Sequence, residues 1–159
     1  MTEACAPAGA VEGLLAELRE GWGGGVLETQ APRARRAFIA VDAKDVRSLV
    51  QWMKEKWGGL HLSTITGRDT GAGFEVLYHF FVRGTVVTVR AAVPAASPEI
   101  PSITDLVPGA VFYEREVHDL LGIKPVGHPA LLPLVLPEDW PAGQHPLRKD
   151  WAPAGGGER

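Results

Sequence analysis

A run of regularly spaced prolines near the C-terminus limits the structures that this chain can form. Prolines recur every four residues from Pro125 to Pro141, and Pro146 follows. Proline lacks a backbone N–H and its ring clashes with the preceding helical turn, so no helix and few strands can persist through this spacing. The same segment is too apolar for a solvated linker. Its apolar residues are Leu131, Leu132, Leu134, Val135, Leu136, Trp140, Leu147 and Trp151.

We therefore expect an extended, Pro-rich C-terminal arm over residues 122–159, following a folded domain over residues 1–121. A structureless stretch of this length is uncommon inside a compact domain. Burying apolar surface is worth about 25 cal/mol per Å², so the arm needs a surface to cover its apolar side chains. The arm can fold back on its own domain or lie on another chain. For a domain this small we expect another chain.

Two segments before the arm place apolar residues at helical spacing, and glycines follow each segment. Asp42 is the expected N-cap of the second helix. A third helix is expected over residues 108–121, with Pro108 at its first position and Gly122 just past its end. The first two apolar stripes are Val11, Leu14, Leu15, Leu18 and Trp22, and Val46, Leu49, Val50, Met53 and Trp57.

Five strands are expected around these helices. The third strand is expected to end at Gly67, and the last two form a hairpin that turns at Arg83 and Gly84. The element order α-β-β-α-β-β-β-α predicts an α+β two-layer sandwich, with helices on one face of a mainly antiparallel sheet. The expected strands are residues 26–30, 36–41, 60–66, 74–82 and 85–93.

Composition excludes several classes of protein. Sixteen Lys and Arg against nineteen Asp and Glu give a net charge of −3, which argues against a nucleic-acid partner. The single cysteine, Cys5, excludes an internal disulfide framework and a cysteine-held iron–sulfur cluster. The N-terminus lacks signal-peptide features, and the longest uncharged stretch, residues 125–137, is too short and broken to span a bilayer. We expect a cytoplasmic protein that reaches a membrane only through other subunits.

The densest polar cluster, residues 113–119, lies on the third predicted helix. Glu114 and His118 are i, i+4 neighbours, as are Arg115 and Asp119, so the cluster predicts an ion-paired helix face that docks the arm or a partner. Neither a GxSxG elbow nor a phosphate-binding glycine loop occurs in the sequence. We therefore expect no catalysis by this chain itself.

A second interpretation of the same cluster is a metal site. Glu114, His118 and Asp119, joined by His128 and His145, would supply carboxylate and imidazole ligands for a metal-dependent hydrolase. No second metal-type spacing such as HExxH supports this minor alternative. The ion-paired helix is the favoured interpretation.

Several spaced motifs resemble the thirty-kilodalton subunit of respiratory complex I, the C-type subunit of NADH:quinone oxidoreductase. They follow one another in the family's order from about residue 74 to residue 151. The resemblance implies the α+β order above, a C-terminal extension that wraps a large catalytic subunit, and no cofactor in this chain. The motifs are Glu-Arg-Glu at 114–116, Asp-Leu-Leu-Gly-Ile at 119–123, Gly-His-Pro-Ala-Leu at 127–131 and His-Pro-Leu-Arg-Lys-Asp at 145–150, with Ile-Pro-Ser-Ile-Thr-Asp-Leu at 100–106 upstream.

The same module occurs in complex-I-related, membrane-bound [NiFe] hydrogenases and formate hydrogenlyase-type complexes. His118 before Asp119, and residues 134–140, resemble the hydrogenase-linked subunits more closely. Ala130 and Gln144 depart from the family pattern, which often has an acidic residue at the first position and glycine at the second.

The resemblance implies a non-catalytic scaffold in the peripheral arm of such a hydrogenase, on the inner face of the cell membrane. Its expected partners are the hydrogenase large subunit, an iron–sulfur electron-transfer subunit and, indirectly, the membrane arm. The [NiFe] centre, or a quinone site, and the iron–sulfur clusters are expected in those partners. The expected interface residues are Glu114, Arg115, Glu116, His118, Asp119, His128, Leu131, Trp140, His145, Arg148, Lys149 and Asp150.

Two alternatives accompany this hypothesis. The chain can instead be the C-type subunit of an NADH:quinone or ferredoxin:quinone oxidoreductase, whose partner is the large, forty-nine-kilodalton-type subunit of complex I. It can also be a free-standing protein-binding domain with no membrane complex.

Overall fold

The structure is a computed structural model that describes residues 9–153. Cys5 and residues 154–159 of the expected arm lie outside the described residues. The helices are α1 (Ala10–Gly21), α2 (Val46–Trp57) and α3 (Ala110–Leu121), and the strands are β1 (Val26–Arg33), β2 (Arg36–Asp42), β3 (His61–Asp69), β4 (Gly73–Val82), β5 (Thr85–Pro94), β6 (Glu99–Pro101) and β7 (Lys124–Val126).

Strands β1 to β5 form one sheet in the order β1-β2-β5-β4-β3. Its pairs are antiparallel except β2 with β5, which run parallel because α2 and two further strands separate them in the chain. The short strands β6 and β7 pair in parallel and form a second, two-stranded sheet. The α+β class and the mainly antiparallel sheet expected from the sequence are confirmed.

The core lies between one face of the sheet and the helices. The predicted stripes of α1 and α2 are buried, apart from half-buried Trp22, and so are alternate residues of β4 from Phe74 to Val82. The β4–β5 turn has positive φ at both Arg83 and Gly84, the conformation that lets a two-residue turn follow the twist of the strands. Hydrophobic periodicity therefore located these elements correctly.

Several expected element ends were wrong, and β1 continues to Arg33 although its strand was expected to end at residue 30. Asp42 does not cap α2, because a short 3₁₀ turn, Ala43–Asp45, separates them and the Asp42 side chain makes no capping hydrogen bond. α3 begins at Ala110, two residues after Pro108. β3 continues through Gly67, where a Cβ would come within 2.5 Å of Leu121 Cδ1. This glycine allows a close helix–sheet approach and does not end the strand.

Strand β7 was not expected among the prolines. Pro125 lies at its centre and is buried, and Ile123 just before it is fully buried in the core. Proline is tolerated here because a short edge strand can do without one N–H. The first residues of the expected arm thus pack with the α+β domain. Between residues 9 and 153, every helix is too short or too polar to cross a bilayer.

Candidate functional site

Helix α3 is the scaffold of the candidate site. Val117 and Leu121 pack on the bare backbone of Gly67 at the margin of the sheet. The opposite side of α3 presents charged and polar side chains toward the C-terminal arm. The helix therefore joins the core to the arm.

Glu114 faces inward, although the sequence placed it on a polar helix surface. It is 3% exposed, and its two carboxylate oxygens accept hydrogen bonds from the Ser102 hydroxyl at 2.7 Å and the Ile103 N–H at 2.8 Å. Burial raises the pKa of the Glu114 carboxyl, and these two hydrogen bonds oppose the rise. Glu114 therefore fixes the loop before α3 and is not available to solvent.

Arg115 and Asp119 hold the middle of the arm by hydrogen bonds to its backbone. The Arg115 guanidinium donates to the carbonyls of Leu132 and Pro133, both at 2.7 Å. Asp119 Oδ2 accepts hydrogen bonds from the N–H groups of Leu134 at 2.6 Å and Val135 at 2.9 Å. Such charge-assisted bonds satisfy arm backbone that has no strand partner.

The expected ion pairs of α3 are absent from the described part of the chain. Glu114, Arg115, His118 and Asp119 each bond backbone or hydroxyl groups, and none of them joins a salt bridge there. The ion pairs expected from the i, i+4 spacing do not form, because Arg115 and Asp119 bond arm backbone and Glu114 bonds the loop before α3.

The His-Pro-Leu-Arg segment of the arm returns to the C-terminus of α3. Helices leave their last carbonyls without intrahelical partners. Here the Asp119 carbonyl accepts from His145 Nδ1 at 2.8 Å, the Leu120 carbonyl from the Leu147 N–H at 3.0 Å, and the Leu121 carbonyl from Arg148 Nε at 2.7 Å. The arm therefore caps the helix to which it is attached.

The arm then crosses to the sheet. The Arg148 guanidinium lies over the Phe74 ring at 5.0 Å, and the Lys149 N–H donates to Asp69 Oδ2 at 3.0 Å. The N–H groups of Lys149 and Gly71 lower the pKa of the Asp69 carboxyl. Asp69 and Phe74 were not predicted as site residues, because their importance arises only when the arm folds over them.

Gln144 joins the two arm tryptophans. Its backbone carbonyl accepts the Trp140 indole N–H at 2.9 Å, and its side-chain oxygen accepts that of Trp151 at 3.2 Å. The two rings lie 6.0 Å apart, centre to centre. Gln144, at a position where the family usually has glycine, thus makes a side-chain hydrogen bond that glycine cannot make.

The histidines do not converge on a metal site. His128 donates from Nε2 to the Val111 carbonyl at 3.1 Å, while His118 Nδ1 lies 3.3 Å from the Ile123 carbonyl, and burial lowers the pKa of the His118 imidazole. With Glu114 turned to Ser102, the described residues bring together no group of three or more His, Cys, Asp or Glu able to hold a metal. The residues expected as metal ligands of a hydrolase therefore do not come together in the described part of the chain.

The anchored arm leaves apolar side chains in water. Leu131 and Trp140 are half-buried, and of the expected interface residues Glu116, Lys149 and Asp150 are exposed. Phe112 lies one turn before Arg115 on α3, the residue that binds the arm carbonyls. We call the exposed large apolar residues of α3, β7 and the arm the arm surface: Phe112 (58%), Val126 (49%), Leu132 (65%), Leu134 (39%), Val135 (53%) and Leu147 (57%).

Comparison with protein families identifies this combination of domain and arm. The family model described as the respiratory-chain NADH dehydrogenase 30 Kd subunit matches residues 39–156, which include α2, α3, strands β3 to β7 and most of the arm. The chain belongs to this family. The resemblance seen in the sequence motifs is confirmed.

The chain is similar to proteins of two kinds, hydrogenase subunits and a quinone-reductase subunit. Hydrogenase-4 component G and formate hydrogenlyase subunit 5 of Escherichia coli are 37% and 39% identical over 145 and 142 residues, 87% and 86% of this chain. The C-type subunit of the NADH-quinone oxidoreductase of Acidothermus cellulolyticus is 41% identical over 118 residues, 74% of this chain.

The chain spans only part of these relatives. It covers 26% and 25% of the two Escherichia coli proteins and 59% of the Acidothermus subunit. Among solved structures, a chain of the membrane-bound sulfane sulfur reductase, an archaeal respiratory membrane complex, superposes with a TM-score of 0.76 at 27% identity, covering 89% of this chain and 84% of that one. A chain of an archaeal respiratory membrane complex thus has a similar fold.

Proposed function

We propose that this family member is a non-catalytic scaffold subunit of a complex-I-related, membrane-bound [NiFe] hydrogenase. In this role it binds the large catalytic subunit through its arm surface. The observation that carries the proposal is the contrast within the arm: its backbone is fixed to α3, while Leu132, Leu134 and Val135 point into water. A segment held rigid with its apolar side chains outward is suited to contact another protein.

The anchoring contacts favour binding because they fix the arm before the partner arrives. An arm that had to be ordered on binding would lose about 1–2 kcal/mol per residue in backbone entropy. Hydrogen bonds from Arg115, Asp119, His145 and Arg148 already restrict it. Because the arm is already restricted, the free energy gained by burying the arm surface contributes mainly to binding of the partner.

The relatives support a large partner. Because the chain matches about a quarter of hydrogenase-4 component G and of formate hydrogenlyase subunit 5, a domain of this kind is joined in those proteins to a much longer polypeptide. We propose that a large polypeptide of this kind is the binding partner of the arm here. The [NiFe] centre and iron–sulfur clusters would then reside in partner subunits, with this chain at the inner face of the membrane.

The second candidate is the C-type subunit of an NADH:quinone or ferredoxin:quinone oxidoreductase. The 41% identity with the Acidothermus subunit favours it. The sequence of the partner that binds the arm distinguishes the two: cysteine pairs that ligate nickel and iron indicate a hydrogenase, and their absence indicates quinone chemistry.

The test replaces Leu132 and Val135 together by aspartate in the full chain. Both side chains are more than half exposed, so folding should survive, while two charges in the interface should reduce recovery of the large subunit with the tagged chain by at least about tenfold. Recovery is measured by quantitative mass spectrometry of the native assembly.

Leu27→Asp is the matched control. Leu27 is 63% exposed on β1, away from the arm, so this variant should recover the large subunit as the wild type does. Undiminished recovery with the Leu132→Asp, Val135→Asp variant would contradict the assignment of the arm surface.

A further inference from the structure

The two edges of the main sheet are protected differently. The β1 edge contains Pro32 and two register irregularities, features that prevent a further strand from pairing. The β3 edge has one irregularity, between Leu62 and Thr64, and then pairs regularly with β4 as far as Asp69, without a proline. Within the described part of the chain, residues 64–69 therefore present a regularly paired edge whose outer backbone groups have no strand partner in the sheet.

A groove of about 140 Å³ runs along this edge, between β3 and α3. Four consecutive strand residues, 64–67, line it. Since successive side chains point to opposite faces of a sheet, a wall of four consecutive residues includes the strand backbone itself. The other wall includes Leu120 and Glu116 of α3 and Leu147 of the arm.

We propose that residues 64–69 accept an additional β-strand from the partner that covers the arm surface. This inference rests on the proposed function, since it assigns a second contact to the same partner. Leu147 belongs to both the groove and the arm surface, so one polypeptide can reach both without a break. Backbone hydrogen bonds to the β3 edge would supply affinity, as in other cases of strand addition.

The groove also specifies the chemistry of the added strand. Side chains on its inner side would meet Leu120 and Leu147, so apolar residues are needed at alternate positions. Side chains on the outer side of the added strand would lie next to Thr66 and Arg68, so polar residues are suited to those positions. Glu116 is exposed beside the groove and forms no ion pair among the described residues, so it suits a Lys or Arg of the partner.

Hydrogen exchange read by mass spectrometry tests the proposal. The isolated full chain is compared with the native assembly purified through a tag on this chain. Alternate residues of a strand direct their N–H groups to opposite sides, so about half of the amides in residues 64–69 should exchange at least about tenfold more slowly in the assembly. Residues 28–32 on the β1 edge are the internal control and should not change.

The outcomes separate this inference from the proposed function. Protection of residues 131–135 without protection of residues 64–69 would overturn the added strand and leave the arm interface standing. Protection of neither segment would overturn both. In the isolated chain, protection of residues 64–69 that increases with protein concentration would show that a second copy binds this edge. That result would also overturn the proposal.

A charge reversal provides a second measurement. Glu116→Arg should lower recovery of the large subunit about tenfold at low salt, because a basic residue of the partner then meets a like charge. Glu20→Arg is the control, since Glu20 is exposed on α1 and outside the groove. Equal recovery by the two variants would count against the assigned chemistry.

Discussion

At the scale of single residues, Gly122 shows how the arm and helix depend on one position. Its φ of +72° ends α3 in the left-handed conformation, and a Cβ there would come within 2.6 Å of Arg148 Nη2 and would also meet His145. Both constraints favour glycine. The sequence predicts the helix end, but the contact with the arm is visible only in the fold.

Gly122→Ala should lower the free energy of unfolding by at least about 2 kcal/mol, because it adds left-handed strain and displaces the arm from its capping positions. Chemical denaturation measures the change. Gly13→Ala is the matched control: Gly13 lies inside α1 with no atom within 4 Å of the position its Cβ would take, so alanine should stabilise by about 0.5–1 kcal/mol. Equal effects of the two substitutions would exclude the steric explanation.

Glu114 predicts a pH dependence. Its pKa is raised by burial above the ordinary value of 4.5. A carboxyl whose pKa is higher in the folded than in the unfolded state contributes most to the stability of the fold at pH values below its unfolded-state pKa, where it is protonated. That contribution is lost as the pH rises through the folded-state pKa. Wild-type stability should therefore fall relative to Glu114→Gln as pH increases from about 4 toward 7.

Denaturant titrations of both proteins at several pH values measure this difference. Glutamine can accept the Ile103 N–H and donate to Ser102, so the comparison keeps the hydrogen-bonded loop. Parallel stability curves for the two proteins would show that Glu114 does not titrate with a raised pKa.

At the scale of elements, the arm is an irregular segment that completes a helix. Arg148 donates to the Leu121 carbonyl and lies over Phe74, whereas the neighbouring Lys149 uses its backbone N–H, toward Asp69. Adjacent basic residues of one motif thus have different roles within this chain. The Lys149 side chain stays a predicted contact for a partner.

Arg148→Ala should release the end of the arm, since it removes a charge-assisted hydrogen bond and a cation–π contact. We expect limited proteolysis between residues 138 and 153 to become about tenfold faster, which corresponds to about 1.4 kcal/mol. Lys149→Ala is the control and should be cleaved at the wild-type rate. A similar acceleration in both variants would assign the effect to net charge rather than to the anchor.

The elements also show where sequence reasoning succeeded. Periodicity located α1, α2 and the β4–β5 hairpin because each buries one complete face, which leaves a repeating apolar pattern. It missed β7 and misplaced the end of β3, because Pro125 and Gly67 have local preferences against strands. Tertiary neighbours outweigh those preferences at both positions.

At the scale of the whole molecule, a two-layer fold leaves the second face of the sheet open. That face carries a ladder of charges across four strands, formed by Glu28, Arg90, Glu75 and Arg68. Partly exposed pairs of this kind contribute about 0–1 kcal/mol each and mainly keep the face compatible with water. Most of the exposed large apolar residues gather instead on the arm side.

The arm surface and the β3 edge therefore belong to one predicted interface. Both lie around α3, and Leu147 belongs to each. A partner that covers the arm and adds a strand would bury a continuous area, as stable assemblies require. The aspartate substitutions test the first contact and the exchange experiment tests the second.

The α+β class, the helical stripes and the family follow from the amino-acid sequence alone, because each depends on local spacing or on ordered motifs. The hydrogen-bond partners of the polar residues depend on the fold. Glu114 turns inward to the loop at residues 102–104, Asp119 and Arg115 bind arm backbone, and His145 with Arg148 closes the end of α3. The physical reason is that an ionisable side chain bonds whichever unsatisfied group the fold brings within about 3 Å, and sequence spacing does not record that distance.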